Sequence, residues 1–140
     1  MAAYPPGQTA AQYVDALFLS AGVTPSSAER QAAIDAYGSG DASGRAAALR
    51  SVVESDSIYN AFYNPAFVLM EYYGYLRRNP NATPDNNFQG YDFWLAKMDS
   101  FSLPGENVRD AQVALSRVRR AQMVTAFITS GEYRQRFGQP

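Results

Sequence analysis

The residues best suited to chemistry lie between positions 77 and 94. Two adjacent guanidinium groups can bind a carboxylate or another anion. Asp and Asn side chains offer the oxygen ligands that Ca²⁺ prefers, and the face of the only Trp in the chain can stack on a sugar ring. The candidate ligand-binding residues are Arg77, Arg78, Asp85, Asn87, Asp92 and Trp94.

Each of these residue types also has a purely structural role. Positive charge at the end of a helix complements the helix dipole, and a salt bridge from Arg77 or Arg78 to Asp85 or Asp92 would pin the intervening loop. The Asn- and Asp-rich loop 79–87 has the residues of turns and helix caps, without the spacing of an EF-hand. Aromatic residues at helical spacing usually fill a core. The structural roles are favoured, and weak calcium binding and carbohydrate binding stay as alternatives.

The composition argues against most enzyme classes. The chain has no His and no Cys, which removes the commonest general base, the commonest metal ligand and the thiol nucleophile. Acidic residues are present, but no spacing singles out a catalytic pair of carboxylates. We therefore expect no catalytic residue, no metal site and no cofactor.

Charge and hydropathy narrow the range of partners. The net charge is −1, with 12 basic and 13 acidic residues, so nothing drives the whole chain toward nucleic acid. The longest apolar run, 66–70, is far shorter than the roughly 20 residues that span a bilayer. We expect a protein partner, or the rest of a longer parent chain, and neither nucleic-acid binding nor membrane insertion; the oligomeric state stays open.

Apolar residues recur at helical spacing throughout the first half, and no segment alternates as a strand does. The pattern predicts a helix over 10–21 capped by Thr9, a second opened by Thr24-Pro25 and a third capped by Ser43. A short helix follows from Ile58 to about Tyr63. Asn64-Pro65 then begins a long helix, 65–78, which we expect to be the most buried because apolar residues nearly encircle it.

The second half continues the helical pattern. Thr83-Pro84 or Asp85 is expected to cap a helix that runs to about 100, with an inner stripe of Tyr91, Trp94, Leu95 and Met98. The segment 107–137 is predicted to be helical, with a bend or change of partner near 119–122 and an interruption at 130–132. The fold class is therefore all-α, a compact bundle of about six to eight helices.

The two halves of the chain also match each other. Tyr13-Val14 corresponds to Phe67-Val68 at an offset of 54, Thr24-Pro25 to Thr83-Pro84 at 59, and the segment 49–62 to 124–137 at 75. We interpret residues 1–8 as an extended arm and 9–138 as one domain. Its halves, 9–63 and 64–138, are degenerate repeats that share one core.

Three motifs carry a family resemblance: Tyr-Leu-Arg-Arg-Asn-Pro at 75–80 with Pro84-Asp85, Gly-Tyr-Asp-Phe-Trp-Leu at 90–95, and Ser-Gly-Glu-Tyr-Arg-Gln-Arg-Phe at 130–137. They resemble a bacterial domain of unknown function that occurs, often in tandem, in large secreted or cell-surface proteins. That domain is distantly similar to the helical linker domains of phycobilisomes. The resemblance implies an extracellular or cell-surface location and a non-enzymatic helical interaction or spacer module. The alternative is a ligand-binding module, for carbohydrate or weakly for calcium, that uses the loop 79–94 and its aromatics.

Overall fold

A computed structural model of the chain describes residues 7–110 and 114–138, with the backbone alone over 114–120. The described part contains seven α-helices and one π-helical segment, and no strand. This confirms the all-α class and the expected number of helices. None of the described helices is long and apolar enough to span a membrane. Most of the arm expected at 1–8 lies outside the described residues.

The chain divides into two compact units, Met1–Ala61 and Phe62–Pro140. The buried apolar residues of the described part form two clusters, one in each unit, where the sequence led us to expect one shared core. The helix that crosses the boundary, α4 (Asp56–Glu71), supplies Ile58 to the first cluster and Val68 to the second. Each unit therefore buries its own apolar side chains.

The first unit is built from α1 (Ala10–Ala21), α2 (Ser27–Tyr37), α3 (Ala42–Val53) and the start of α4. α2 and α3 pack closely, because a Cβ atom at Gly44 would lie 2.0 Å from the carbonyl oxygen of Tyr37. The aromatic rings of Tyr13 and Tyr37 meet at 5.3 Å. The core of this unit consists of Tyr13, Val14, Leu17, Phe18, Ala33, Tyr37, Ala48 and Val52.

The N-terminal cap residues of the helices in the first unit match the prediction at one helix and differ from it at two. Thr9 caps α1 as predicted, in a capping box with Gln12. The cap of α2 is Ser26 rather than Thr24-Pro25, because Ser26 and Glu29 form a reciprocal capping box there. Asp41, not Ser43, caps α3, and its carboxylate accepts the N–H of Gly44 at 2.8 Å.

The predicted break at Asn64-Pro65 is wrong, since α4 runs through it without interruption. Proline removes one helical hydrogen bond, and two side-chain contacts at this turn offset that loss. The buried Asn64 amide donates to Asp99 Oδ1 at 2.9 Å and to Ser102 Oγ at 3.2 Å. The hydroxyl of Tyr91 donates to the carbonyl of Pro65 at 3.2 Å. Asn64 therefore tethers α4 to the end of α5 and caps nothing.

The segment expected to be buried on all sides is buried on one face only. α4 passes into the π segment Tyr72–Leu76, and Val68, Tyr72 and Leu76 lie in the core at four-residue spacing. On the opposite face Met70 is 64% exposed and Tyr73 is 52% exposed. Apolar composition alone did not distinguish the two faces.

The second unit adds α5 (Gln89–Asp99), α6 (Ala114–Ile128) and α7 (Gly131–Phe137). The predicted inner stripe of α5 is confirmed: Met98 is buried, its other three residues are partly buried, and every other side chain of that helix is exposed. Ser130 caps α7 by accepting the N–H of Tyr133 at 3.1 Å. The predicted interruption is present, but it lies at 129–130, since Gly131 and Glu132 are already part of α7. The core of this unit consists of Val68, Tyr72, Leu76, Met98, Met123 and Phe127.

Two other predictions for the second half concern the cap of α5 and a change of partner near 119–122. Neither Thr83-Pro84 nor Asp85 caps α5, which begins after Phe88, and the Asn87 side chain accepts the N–H of Gln89 at 2.9 Å. The change of partner expected near 119–122 falls partly on side chains outside the described residues, while the backbone of α6 is continuous there.

Some positions that the sequence match pairs have similar local structure in the two units. At the offset of 75, Val52 corresponds to Phe127, and both are 3% exposed. Ser55 and Ser130 each accept an N–H three residues later. The residue with a left-handed backbone after α1 is Gly22, and the one after the π segment is Arg77. These two positions are 55 residues apart, whereas the sequence match earlier in the two helices has an offset of 54. A π-helical turn accommodates one extra residue, which explains the shift.

Glu71 gives the second unit a testable pH dependence. Burial raises the pKa of its carboxyl from 4.5 to about 7, and its Oε2 atom has no hydrogen-bond partner. As the pH rises, the unfolded chain loses this proton at a lower pH than the folded chain does. The free energy of unfolding therefore falls as the pH rises from 4.5 to 7. We expect Glu71→Gln to stabilise the unit by about 1–3 kcal/mol at pH 8 and to have little effect at pH 4.

Urea unfolding followed by Trp94 fluorescence measures this effect, since Trp94 lies in the same unit as Glu71. The same variant at pH 4 provides the control, because the Glu71 carboxyl is largely protonated there in both the folded and the unfolded chain. An equal effect of Glu71→Gln at pH 4 and pH 8 would contradict the burial of an ionisable carboxyl.

Candidate functional site

A cleft of about 210 Å³ lies in the second unit between the π segment, the loop 79–88, α5, the end of α6 and the start of α7. Its walls include three of the residues that the sequence singled out, Arg78, Asp85 and Trp94. The remaining lining residues are Tyr72, Leu76, Gly90, Ala126, Phe127, Ser130 and Glu132.

The guanidinium of Arg78 forms the polar side of the cleft, and its side chain is only 5% exposed. Nε donates to Glu132 Oε1 at 2.6 Å, and Nη2 donates to Glu132 Oε2 at 2.9 Å, which makes a bidentate pair. Nη2 also donates to Asp85 Oδ2 at 2.5 Å. The salt bridge from the arginine pair to the loop is therefore present, and Asp85 is its acceptor there.

The third guanidinium nitrogen binds the loop backbone. Nη1 donates to the carbonyl oxygens of Asn79 and Pro80 at 3.1 Å each and of Ala82 at 3.2 Å. An arginine has five N–H groups, and the six acceptors around Arg78 leave none of them free. The guanidinium is thus occupied by the protein itself and offers no donor to an external anion.

Backbone geometry places Arg78 in this position. Arg77 adopts the left-handed conformation at φ 50°, which ends the π segment. The N–H of Arg78 then donates to the carbonyl of Tyr72 at 3.3 Å. Its guanidinium carbon lies 5.1 Å from the centre of the Tyr72 ring, at cation–π distance.

The electrostatics of the cleft favour the ionised pair. The hydrogen bonds to Glu132 and, after them, to Asp85 outweigh burial and raise the pKa of the Arg78 guanidinium above its ordinary value. Two carboxylates thus surround one permanently charged cation, and Asp85 Oδ1 has no partner among the described residues. Arg136 Nη2 lies 3.6 Å from Glu132 Oε1 and balances its charge. The polar rim can therefore accept a hydrogen bond at Asp85 Oδ1 without carrying a net negative charge.

The hydroxyl of Tyr72 is a second polar atom of the cleft without a partner in the described structure. The residue is 2% exposed, and its hydroxyl makes no hydrogen bond to a described residue. Burial raises the pKa of its phenol, and the nearby Asp85 carboxylate adds to the effect. A Cβ atom at Gly90 would lie 2.7 Å from this hydroxyl and 3.5 Å from Asp85 Oδ2, so the glycine keeps this part of the cleft open.

Aromatic rings form the opposite side of the cleft. Phe127 meets Tyr72 edge-on at 5.3 Å and Trp94 at 5.4 Å between ring centres. Trp94 is half-buried, with Lys97 over its ring at 5.4 Å. Most of its surface is therefore used in packing, as the structural interpretation of the aromatics predicted.

The other three predicted site residues lie outside the cleft lining. Arg77 is exposed, with its guanidinium carbon 5.9 Å from the Phe137 ring. Asn87 binds the first turn of α5, and Asp92 is an exposed residue of that turn. Sequence reasoning considered Tyr72 only as one of several aromatics that could line a sugar-binding cleft, and it did not select Phe127 or Glu132 as site residues. Glu132 was part of the quoted 130–137 motif, and its position two residues after the Ser130 cap was the available signal.

The described residues contain no group of three or more acidic side chains that could hold a metal ion. The carboxylate of Asp85, which the calcium alternative needs, binds Arg78 through one oxygen. The loop therefore retains few of the oxygen ligands that a Ca²⁺ site requires.

Comparison with protein-family models, with curated proteins and with solved structures gives no match for this chain. What the residues define is an all-α protein whose second unit is organised around a buried arginine.

The Arg78 network predicts a large difference between two adjacent arginines. Lysine has three N–H donors and no fork, so Arg78→Lys leaves acceptors of Glu132, Asp85 and the loop unpaired. We expect a loss of about 2–4 kcal/mol in the stability of the second unit, somewhat less than for removing one partner of a buried ion pair, because lysine keeps the charge. Urea unfolding followed by Trp94 fluorescence measures the loss.

The matched control is Arg77→Lys, because Arg77 is exposed and its side chain keeps only a ring contact. That variant should change the unfolding free energy by less than about 0.5 kcal/mol. Equal stability of the two variants would show that the arginine network does not hold the unit together.

Proposed function

We propose that this chain is a non-enzymatic helical interaction or spacer module of a secreted or cell-surface bacterial protein. The family resemblance at 75–95 and 130–137 supports the setting, and the absence of His and Cys supports a role without catalysis. The partner is a protein surface, either a separate protein or the rest of a longer parent chain.

The use of the motif residues supports this proposal. Arg78, Asp85 and Glu132 all belong to the segments that carry the resemblance, and in this chain they bind one another. A motif that holds a loop and two helices in place is what an interaction scaffold requires. It leaves the binding surface to be formed by other residues.

The observation that carries the proposal is an uncharged, apolar face on α4 and the start of the π segment that follows it. Between Asp56 and Arg77 the only charged residue is Glu71, and it is buried. On the exposed side Phe62 is 47%, Met70 64% and Tyr73 52% exposed, with the exposed Ala66 between them. We call Phe62, Ala66, Met70 and Tyr73 the α4 face.

The spacing of these residues makes the face continuous. Steps of four, four and three positions place side chains on one side of a helix. Scattered single apolar residues are normal on a protein surface, whereas contiguous apolar patches mark interaction sites. Aromatic residues and Met are also the types enriched at the centres of protein interfaces.

Cysteine reactivity tests whether this face is covered where the protein works. The chain has no native Cys, so Met70→Cys and Leu19→Cys each carry one thiol. Leu19 is 81% exposed and serves as the control outside the face. A membrane-impermeant maleimide is added to a live culture of the producing bacterium and, separately, to dilute purified protein.

We expect Met70→Cys to react at least about fivefold more slowly in the culture than in dilute solution, and Leu19→Cys to react at similar rates in both. Equal reactivity of Met70→Cys in the two settings would contradict an occupied α4 face. Failure of Leu19→Cys to react in the culture would contradict the secreted or cell-surface setting.

A ligand-binding module for carbohydrate is a second candidate, favoured by the unpartnered hydroxyl of Tyr72. That hydroxyl, Asp85 Oδ1 and the edge of Trp94 lie around the same cleft. Sugar hydroxyls pair with such donors and acceptors while a ring contacts an aromatic side chain. A volume of about 210 Å³ suits a single sugar ring.

Calorimetry with a panel of monosaccharides and short oligosaccharides, and separately with Ca²⁺, tests this candidate. Gly90→Ala should abolish sugar binding because the added methyl group occupies the space beside Tyr72. Gly131→Ala is the control, since a Cβ atom there meets nothing within 4 Å. No heat with any sugar or with Ca²⁺, and no shift in melting temperature, would remove the candidate.

A further inference from the structure

The cleft of the second unit holds a hydrogen-bond donor that the protein itself does not use. Tyr72 is 2% exposed and lines the cleft, and its hydroxyl has no partner among the described residues. An unpaired polar group in a protein interior costs free energy, whereas every N–H of the adjacent Arg78 guanidinium has an acceptor. The open hydroxyl is therefore suited to an acceptor atom of a ligand.

Gly90 keeps the space in front of this hydroxyl free. A Cβ atom at Gly90 would lie 2.7 Å from the Tyr72 oxygen, so a side chain there would fill the space that a ligand atom needs. Gly90 is the second residue of α5, and its N–H makes no hydrogen bond to a described residue. The positive end of the helix dipole lies at this turn. Both features favour an electron-rich oxygen, such as a carbonyl, beside Tyr72.

Asp85 places an acceptor next to these donors. Its carboxylate accepts one hydrogen bond from a described residue, Arg78, and an ionised carboxyl has about four lone-pair sites. Its Oδ2 atom lies 3.5 Å from the Cβ position of Gly90, the same point that borders the Tyr72 hydroxyl. A ligand group with a carbonyl oxygen next to an N–H would use the donor and the acceptor together. That group is an amide.

The charges around the cleft favour a neutral ligand. The carboxylates of Asp85 and Glu132 are already balanced by the guanidinium groups of Arg78 and Arg136. A carboxylate, a phosphate or an ammonium group would add a partly buried charge without a counter-ion, which is unfavourable. A neutral amide adds a donor and an acceptor without adding charge.

The rest of the lining indicates which kind of amide fits. Leu76, Ala126 and Phe127 are apolar, and the half-buried Trp94 lines the same cleft. An acetamido group ends in a methyl group that suits apolar walls, while a sugar ring attached to it can contact the face of an aromatic side chain. We propose that the cleft binds the acetamido group of an N-acetylated amino sugar. This inference rests on the carbohydrate candidate of the proposed function and names the class of sugar.

Calorimetry and ligand-observed NMR with the unmodified chain test this assignment. At ordinary ligand efficiency, a ligand of about 15 non-hydrogen atoms has a dissociation constant of about 1 mM, and we expect that range for N-acetylglucosamine. Glucose and glucosamine lack the acetyl group and should bind at least about tenfold more weakly. Magnetisation transferred from the protein should be strongest at the acetyl methyl protons.

Tyr72→Phe removes the donor and keeps the aromatic ring. It should weaken N-acetylglucosamine binding at least about tenfold, while the melting temperature stays equal or rises because an unpaired hydroxyl is lost. Tyr73→Phe is the matched control, since its exposed side chain lies outside the cleft lining and its hydroxyl donates to Asn79 at 2.9 Å. That variant should bind the sugar as the unmodified chain does.

The possible failures separate the acetamido group from the sugar. Equal affinity for N-acetylglucosamine and glucose, or unchanged binding by Tyr72→Phe, would overturn acetamido recognition and leave the carbohydrate candidate in place. No binding of any of the three sugars at about 10 mM would remove both. Tighter binding of propionamide, which carries the side-chain amide of glutamine, would overturn the sugar assignment in favour of a peptide ligand.

Discussion

The second unit depends on one buried cation. The Arg78 guanidinium donates to Glu132, to Asp85 and to three carbonyl oxygens of the loop that follows it. Burying a charge costs several kcal/mol unless its hydrogen bonds are satisfied, and here every donor has an acceptor. The network joins the end of the π segment, the loop 79–85 and the start of α7. The loop can then form without regular structure because the arginine satisfies its carbonyl groups.

The first unit makes the equivalent connection without a cation. Glu29 accepts the N–H and the hydroxyl of Ser57 at 2.8 and 2.6 Å, and it also caps its own helix through Ser26. These hydrogen bonds outweigh the opposing effect of burial and lower the pKa of Glu29 to about 2. Position 57 corresponds to Glu132 at the offset of 75, so the start of the last helix is tethered in both units. The acidic partner lies on α2 in one unit and on α7 in the other.

The sequence predicted the helical class, the α1 cap at Thr9, the inner stripe of α5 and the break before α7, because each of these follows from local spacing or local capping. It misplaced the caps of α2 and α3 by two residues, since several adjacent residues there are good caps. It broke α4 at Pro65 because proline usually begins a helix. The contacts of Asn64 and Pro65 with Asp99 and Tyr91, distant in the sequence, keep that helix continuous.

For the candidate site, the sequence determined which residue types are present and that they lie near a loop. It selected Arg78, Asp85 and Trp94, which line the same cleft. Only the tertiary structure decided that Glu132, 54 positions away, occupies Arg78 together with Asp85 and the loop carbonyls. It also left the hydroxyl of Tyr72 without a partner. It also decided which side of α4 is exposed. Helical periodicity marks an apolar residue as suited to a core, but the packing partner determines whether its face is buried or left available for docking.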